Sequence, residues 1–365
     1  MKNICFINTV KFWGGGEKFY LDYATGLQNK GYKVFLICNQ KSILGKRAER
    51  NNIPTYYMNN VGNLSFLNPL KLYKLIRFFK NNKIDIVIFS ASRDFKLGGL
   101  SSYLAKVGKR IYRRGLAIPI NNNFLNRFLL QKCITHINAN SEETKRTILK
   151  NLSGGLSPDK IKVIYNGIKS IPENGQGLRE MAIIQEKGKG VILGNAGRLV
   201  EQKGQIYLIE IARKLRNRNL PFTIFIAGAG SLRQRLEEEI SRYNLENDVI
   251  LLGFVDDIVG FMKSIDIFLL TSEWEGFGYV LVEAMQCSKP VVAFDITSNP
   301  EIVVNNISGY LVEYPDLDEF TEKVLRLAEN PTIRMSMGKA GRHKSLEKFQ
   351  FEKTFKQFED YITNA

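Results

Sequence analysis

Histidine is almost missing from this chain, with two in 365 residues. His136 falls in an apolar run and His343 near the C-terminal end, so both are assigned to structure. Cysteine is sparse too. Cys5, Cys38, Cys133 and Cys287 are scattered without a C-x-x-C pair, which argues against a disulfide framework and for reduced thiols in a cytoplasmic protein. No cluster of His, Cys, Asp and Glu has ligand spacing, so no metal is expected. Asp316-Leu317-Asp318 mimics a metal-binding D-x-D, but it follows Pro315 and reads as a helix cap. No apolar run approaches the roughly 18 to 20 residues that cross a bilayer. Residues 4–10 are too short for a signal-peptide core and run into Gly14, so they read as a first strand. Repeats, heptads and low-complexity tracts are absent, which excludes solenoids and coiled coils.

Acidic residues are scarce in the first half alone. Residues 1–170 carry 29 Lys and Arg against 8 Asp and Glu, whereas the remainder carries 23 against 28. A basic half concentrates anionic partners: nucleic acid, anionic lipid headgroups or a phosphorylated acceptor. No nucleic-acid motif or stacking platform accompanies the charge, so nucleic acid is not expected as a partner. Two stretches supply much of it. Residues 70–80 interleave Lys71, Lys74, Arg77 and Lys80 with apolar side chains, a pattern that fits a crossover helix and could also lie on an anionic membrane. Lys106, Lys109, Arg110, Arg113 and Arg114 form the second, read as a surface for a phosphate-bearing or lipid-linked acceptor.

At this length the chain suits two α/β domains. Short β-branched runs at 4–8, 34–38, 84–89, 134–139 and 161–165, then at 191–194, 222–227, 249–252, 265–270 and 290–294, alternate with helical stretches, as parallel strands and crossover helices do. Residues 170–189 include Pro172, Gly175, Gly177 and Gly188 and read as a linker. The expected organisation is a first Rossmann-like domain over 1–170, a linker over 171–189, a second such domain over 190–345 and a C-terminal helix over 346–365, where Phe351, Phe355 and Phe358 share one face.

Ligands of such sheets bind beyond the carboxyl ends of the strands. Gly14, Gly15 and Gly16 open a helix after the first strand and suit an anion or simply a tight turn. Gly197 and Arg198, with Lys203 nearby, place two cations at another strand end, where they reach phosphate oxygens. Gly228-Ala229-Gly230 lacks the third glycine of a dinucleotide fingerprint but suits a phosphate contact. The most specific string runs from Ser272 through Glu275, Gly276, Phe277 and Gly278 to Glu283, with a helix expected to begin near Tyr279; Glu283 could accept two hydrogen bonds from a vicinal diol such as ribose.

Glu275 and Glu283 resemble the E-x7-E signature of retaining GT-B glycosyltransferases of family 4. Gly14-Gly15-Gly16-Glu17, Asn140-Ser141, Tyr165-Asn166-Gly167, Gly197-Arg198 with Lys203, Gly228-Ala229-Gly230, Leu252-Gly253-Phe254-Val255 and Asn299-Pro300-Glu301 fall in that family's order, so the resemblance covers nearly the whole chain. It implies two Rossmann-like domains facing each other across a cleft, with the C-terminal helix packing back. It implies a UDP-, GDP- or ADP-linked sugar as donor substrate, no separate cofactor, transfer with retention and no metal. By match of position, Arg198 and Lys203 neutralise the diphosphate, Glu283 holds the ribose, Phe254 and Val255 border the base, and Glu275 meets the donor sugar beside the N–H groups of Gly276, Phe277 and Gly278. The acceptor is a glycan, phosphorylated or lipid-linked, in lipopolysaccharide or other cell-envelope synthesis, which places the protein in the cytoplasm or on the inner face of the membrane. Many relatives carry a His in the turn after the fourth strand, where this chain reads Ser90-Ala91-Ser92-Arg93-Asp94. Arg93 and Asp94 are the expected stand-ins, Asp94 for a sugar or acceptor hydroxyl, with a helix cap as the other reading of Asp94. A nucleotide-sugar epimerase or hydrolase of the same fold is one alternative, and a non-enzymatic basic nucleic-acid-binding protein, supported only by charge, is the other.

Overall fold

The computed structural model describes residues 2–152, 155–171 and 181–364. Of the expected linker, residues 172–180 lie outside the described residues. The chain divides into two compact units, 1–166 with 352–365, and 167–351.

The first unit is built on a seven-stranded parallel sheet. Its strands are β1 (Asn3–Asn8), β2 (Lys33–Cys38), β3 (Thr55–Tyr57), β4 (Ile86–Phe89), β5 (Lys109–Arg114), β6 (His136–Ala139) and β7 (Ile161–Val163), in the order β3-β2-β1-β4-β5-β6-β7. The apolar runs are buried on both faces, as helices covering a parallel sheet require. The order reverses between β1 and β4, so the turns after these two strands flank the crevice where such sheets take ligands.

The β5 strand corrects the sequence reading. Its Lys-Arg-Ile-Tyr-Arg-Arg string was expected on an acceptor-facing surface, yet it lies between β4 and β6, with Ile88 opposite Ile111 and Tyr112 opposite Ile137. Its cations find partners inside the unit, although the Nε atoms of Arg113 and Arg114 are buried without a hydrogen bond. The Lys109 ammonium donates to the Tyr361 carbonyl, Arg110 to the carbonyls of Cys133 (2.6 Å) and Val107, and Arg113 to Asn166 Oδ1 (2.5 Å) while its guanidinium stacks 3.6 Å above the Phe19 ring. Carbonyl acceptors and an aromatic face stand in for water around these charges, which lets a basic string occupy a central strand.

The second unit holds six parallel strands: β8 (Val191–Ala196), β9 (Phe222–Ala227), β10 (Val249–Gly253), β11 (Ile267–Leu270), β12 (Val291–Phe294) and β13 (Gly309–Val312), ordered β10-β9-β8-β11-β12-β13. Its reversal falls between β8 and β11. Three strands, β3, β5 and β13, go beyond the ten apolar runs expected. Asp316 caps the helix Leu317–Glu329 by accepting from the Glu319 amide at 2.9 Å, as its sequence context indicated. The four cysteines are free, and burial pushes the thiols of Cys38, Cys133 and Cys287 up to about 11, leaving them unreactive near neutrality.

The helix Phe351–Thr363 returns the chain to the first unit. Phe358 is fully buried, edge-on to Tyr23 at 5.0 Å and to Phe19 at 5.4 Å, and Tyr23 Oη lies 3.0 Å from Thr354 Oγ1. The helix is therefore part of the first unit's core. Phe358→Ala is expected to cost about 3–5 kcal/mol, read as an earlier urea midpoint for that unit. An unchanged midpoint would show that the helix contributes no core.

Candidate functional site

In the second unit the turn after β8 is pressed onto the turn after β11. Gly204 makes this contact: it adopts a left-handed φ of 57°, and a Cβ there would overlap the Thr271 carbonyl oxygen. Only glycine accepts both conditions. Two hydrogen bonds complete the seam, Glu273 N to Gln202 O at 2.9 Å and Gln202 Nε2 to Trp274 O at 2.9 Å. The seam brings Lys203 to Glu275, with Nζ 2.5 Å from Oε1 and the two side chains 14% and 7% exposed. Ser272 Oγ donates to the same oxygen at 2.7 Å, and the Glu275 amide donates to Thr297 Oγ1 at 3.0 Å. Glu275 is thus fixed at both its backbone and its carboxylate.

The turn after β9 packs onto the same structure from the other side. Gly230 lies against the Leu199 backbone so closely that any side chain would collide with its carbonyl, and Leu199 N donates to Ala229 O at 3.0 Å. Gly228 N donates to Gly253 O at 2.7 Å, which ties in the turn after β10 that carries Phe254 and Val255. Gly197 donates to Ala227 O at 2.9 Å. Four strand-end turns form one belt of main chain. Within it Gly230 serves turn-on-turn packing, and the Phe254 side chain is exposed.

Arg198 projects from this belt into solvent, and its guanidinium has no hydrogen-bond or ion-pair partner among the described residues. On the far side Gly278, with a φ of 76°, starts the helix Tyr279–Gln286, and Glu283 is buried on its second turn. Phe277 packs against Tyr279 and Phe349, so its side chain belongs to the core and only its backbone faces the loop. Ser298 Oγ and Asn299 Oδ1, on the turn that carries Thr297, are buried without a hydrogen-bond partner. Ser272 and Thr297 escaped the sequence reading as functional positions. Ser272 stood inside the quoted string; Thr297 lies 22 residues from Glu275 in a left-handed conformation that no local pattern marks.

In the first unit Gly15 and Gly16 open the helix Gly15–Asn29, and open space surrounds the position a Gly16 Cβ would take. Asp94 is fully buried. Its two oxygens accept from Thr9 N (3.0 Å) and Thr9 Oγ1 (2.5 Å), while Arg93 donates to the Thr9 carbonyl at 3.2 Å. Asn8 extends the tie by donating to Glu17 at 3.0 Å. The Arg93-Asp94 turn therefore grips every polar atom of Thr9 and holds the start of the glycine loop. Burial pushes the Asp94 carboxyl from 3.8 up to about 6, against the lowering effect of the Thr9 hydrogen bonds and Arg93.

No group of three His, Cys, Asp or Glu residues that could hold a metal ion occurs among the described residues, and no described helix is long and apolar enough to cross a membrane. Two family descriptions match the chain: Glycosyltransferase Family 4 over residues 13–170 and Glycosyl transferases group 1 over residues 179–344. A UDP-Gal:alpha-D-GlcNAc-diphosphoundecaprenol alpha-1,3-galactosyltransferase of Escherichia coli is 27% identical, over 98% of this chain and 95% of its own length. The capsular polysaccharide biosynthesis glycosyltransferase CapM of Staphylococcus aureus is 26% identical over 79% of each chain. Among solved structures, Anabaena Alr3699/HepE in complex with UDP and glucose aligns at a TM-score of 0.84 and 21% identity over the whole of both chains, a likeness of fold.

The raised Asp94 pKa has a definite sign. The folded state holds the proton more tightly than the unfolded chain, so this group's stabilising contribution is present below 3.8 and is lost as pH rises through about 6. Asp94→Asn cannot ionise. Its melting temperature relative to the native chain is expected to rise between pH 4.5 and 6.5; a difference that stays flat across this range would show that Asp94 titrates normally.

Proposed function

We propose that this chain, which belongs to the GT-B glycosyltransferases of family 4 and group 1, moves a sugar from a UDP-linked donor held by its second unit to a hydroxyl of a lipid-linked glycan acceptor. The observation that carries the reading is the Lys203–Glu275 pair, fixed by Ser272 and Thr297 beside the exposed Arg198. The chain contributes cations where the diphosphate leaves and an anchored carboxylate where the sugar sits.

As the bond from the anomeric carbon to the diphosphate oxygen breaks, negative charge grows on the leaving group and the sugar becomes oxocarbenium-like. Arg198 presents a planar fork and Lys203 a point charge, and cations already in place stabilise that charge without reorganisation. Backbone N–H groups of Gly276, Phe277 and Gly278 at the helix start add to it. Glu275, its orientation fixed, accepts hydrogen bonds from the donor sugar, and Glu283 accepts them from the ribose. The acceptor oxygen bonds to the anomeric carbon on the face the diphosphate leaves, its proton passes to the departing phosphate oxygen, and configuration is retained. None of these roles requires a metal ion.

The preference for UDP and for a lipid-diphosphate-linked glycan draws on the E. coli relative, which matches nearly end to end and whose name states both. The staphylococcal relative supports cell-envelope glycan assembly as the setting. Such an acceptor lies in the inner leaflet of the membrane, where a cytoplasmic enzyme with a basic first half would meet it.

Arg198→Ala separates chemistry from folding, because its exposed guanidinium has no hydrogen-bond or ion-pair partner to lose among the described residues. Its melting temperature is expected to be unchanged, while turnover of UDP-sugar in the presence of a lipid-diphosphate glycan falls about 100-fold or more. Glu283→Ala is expected to weaken UDP binding about 10- to 100-fold, measured by thermal shift against UDP, GDP and ADP. Normal turnover in Arg198→Ala would sink the phosphate role; sugar release at full rate without acceptor would favour the hydrolase.

A further inference from the structure

The first unit carries a corner at which large apolar side chains stand in solvent. Leu64, Leu67, Leu70 and Tyr73 are 72%, 67%, 70% and 60% exposed, all within ten residues of chain. They sit on the 3-10 turn Ser65–Leu67 and the first turns of the helix Pro69–Asn81. The corner is firmly built. Ser65 Oγ accepts from Gly62 N at 2.9 Å and from Lys71 Nζ at 3.1 Å, Lys71 also donates to the Asn60 carbonyl, and Asn68 caps the helix through Lys71 N at 3.0 Å. Leu75 and Phe79 anchor the opposite face of the helix in the core. The leucines are thus held outward by a hydrogen-bonded frame.

The exposed stripe changes character along the helix. Leu70, Tyr73, Lys74, Arg77 and Lys80 follow helical spacing on the outer face, apolar at the N-terminal end and basic beyond it. No Asp or Glu occurs between Glu49 and Asp85 to offset these cations. Glu49 itself is engaged by the Tyr57 hydroxyl, and Asp85 accepts from the Asn3 amide at 2.7 Å. Each crossover helix of a parallel sheet starts at the carboxyl edge, so Pro69 lies at the same edge as Thr9 and Asp94.

We propose that this corner docks on an anionic lipid bilayer, with Leu64, Leu67 and Leu70 entering the headgroup boundary and Lys74, Arg77 and Lys80 meeting lipid phosphates. A tip of leucines followed by a stripe of cations, without acids, matches a surface that is apolar inside and negative outside. The inference does not rest on the transferase reading, since it concerns a surface apart from the second unit's site. If both hold, the docked edge is the one that carries the first unit's glycine turn.

The test is co-sedimentation of the full chain with vesicles of phosphatidylcholine alone and of phosphatidylcholine with 30% phosphatidylglycerol. Binding is expected only to the anionic vesicles. Leu64→Ser with Leu67→Ser and Leu70→Ser is expected to weaken it at least tenfold, with melting temperature and UDP binding unchanged because these side chains are exposed. Lys74→Ser with Arg77→Ser and Lys80→Ser is expected to abolish the preference for phosphatidylglycerol. Failure of the native chain to bind, or equal binding by the leucine variant, would overturn the proposal. So would a dimer in the absence of lipid that the leucine variant dissolves, since the patch would then belong to a second copy of the chain.

Discussion

The approach of Gly204 to the Thr271 carbonyl is the contact on which the second unit's site depends. A side chain at 204 would meet that carbonyl, and the left-handed backbone there is one that residues with a Cβ rarely adopt. Without the approach, the turns after β8 and β11 would separate, and Lys203 could not rest 2.5 Å from Glu275. Two charges that are largely out of solvent tolerate their burial because they are paired and further hydrogen-bonded. Main-chain packing comes first, and the ion pair is what it permits.

Both sheets reverse strand order once, and the two units treat the reversal differently. In the first, the acid that follows β4 is satisfied by the residue that follows β1: both Asp94 oxygens are taken by Thr9. In the second, the acid that follows β11 meets a cation from the turn after β8, and a second cation, Arg198, remains exposed beside them. In the first unit the acid ties a loop in place. In the second the acid is held by an ammonium, with an exposed guanidinium in the same turn as that ammonium. Similar topology therefore does not give similar chemistry; what decides is whether the acid's partner is a backbone amide and hydroxyl or an ammonium group.

The sequence made much of the second unit's belt legible, because a glycine at a strand end carries a steric meaning wherever it occurs. Gly197, Gly230 and Gly278 mark the turns, and the spacing from Glu275 to Glu283 locates the helix start between them. Thr297 was not legible. Its role arises from a loop arriving after β12, and no short pattern encodes that arrival. The β5 strand was hidden for a different reason. Alternation in Lys-Arg-Ile-Tyr-Arg-Arg is masked by charge, and partners distant in sequence, such as Phe19, Asn166 and the carbonyls of Cys133 and Tyr361, help to make a buried position tolerable for those cations.

Cations committed to partners inside the fold limit what net charge can say about a surface. The first half's excess of basic residues reads as one anion-attracting face, yet Lys109, Arg110 and Arg113 are committed to carbonyls, an amide oxygen and a ring. Lys71 is committed to holding a loop. The cations left free to meet a partner are those whose stems lie on an outer helical face, such as Lys74, Arg77 and Lys80. Charge that is built into the fold contributes to the long-range field but cannot form a contact, whereas exposed charge beside apolar side chains can do both. The position of a cation, more than its count, determines which kind of partner a basic domain can hold.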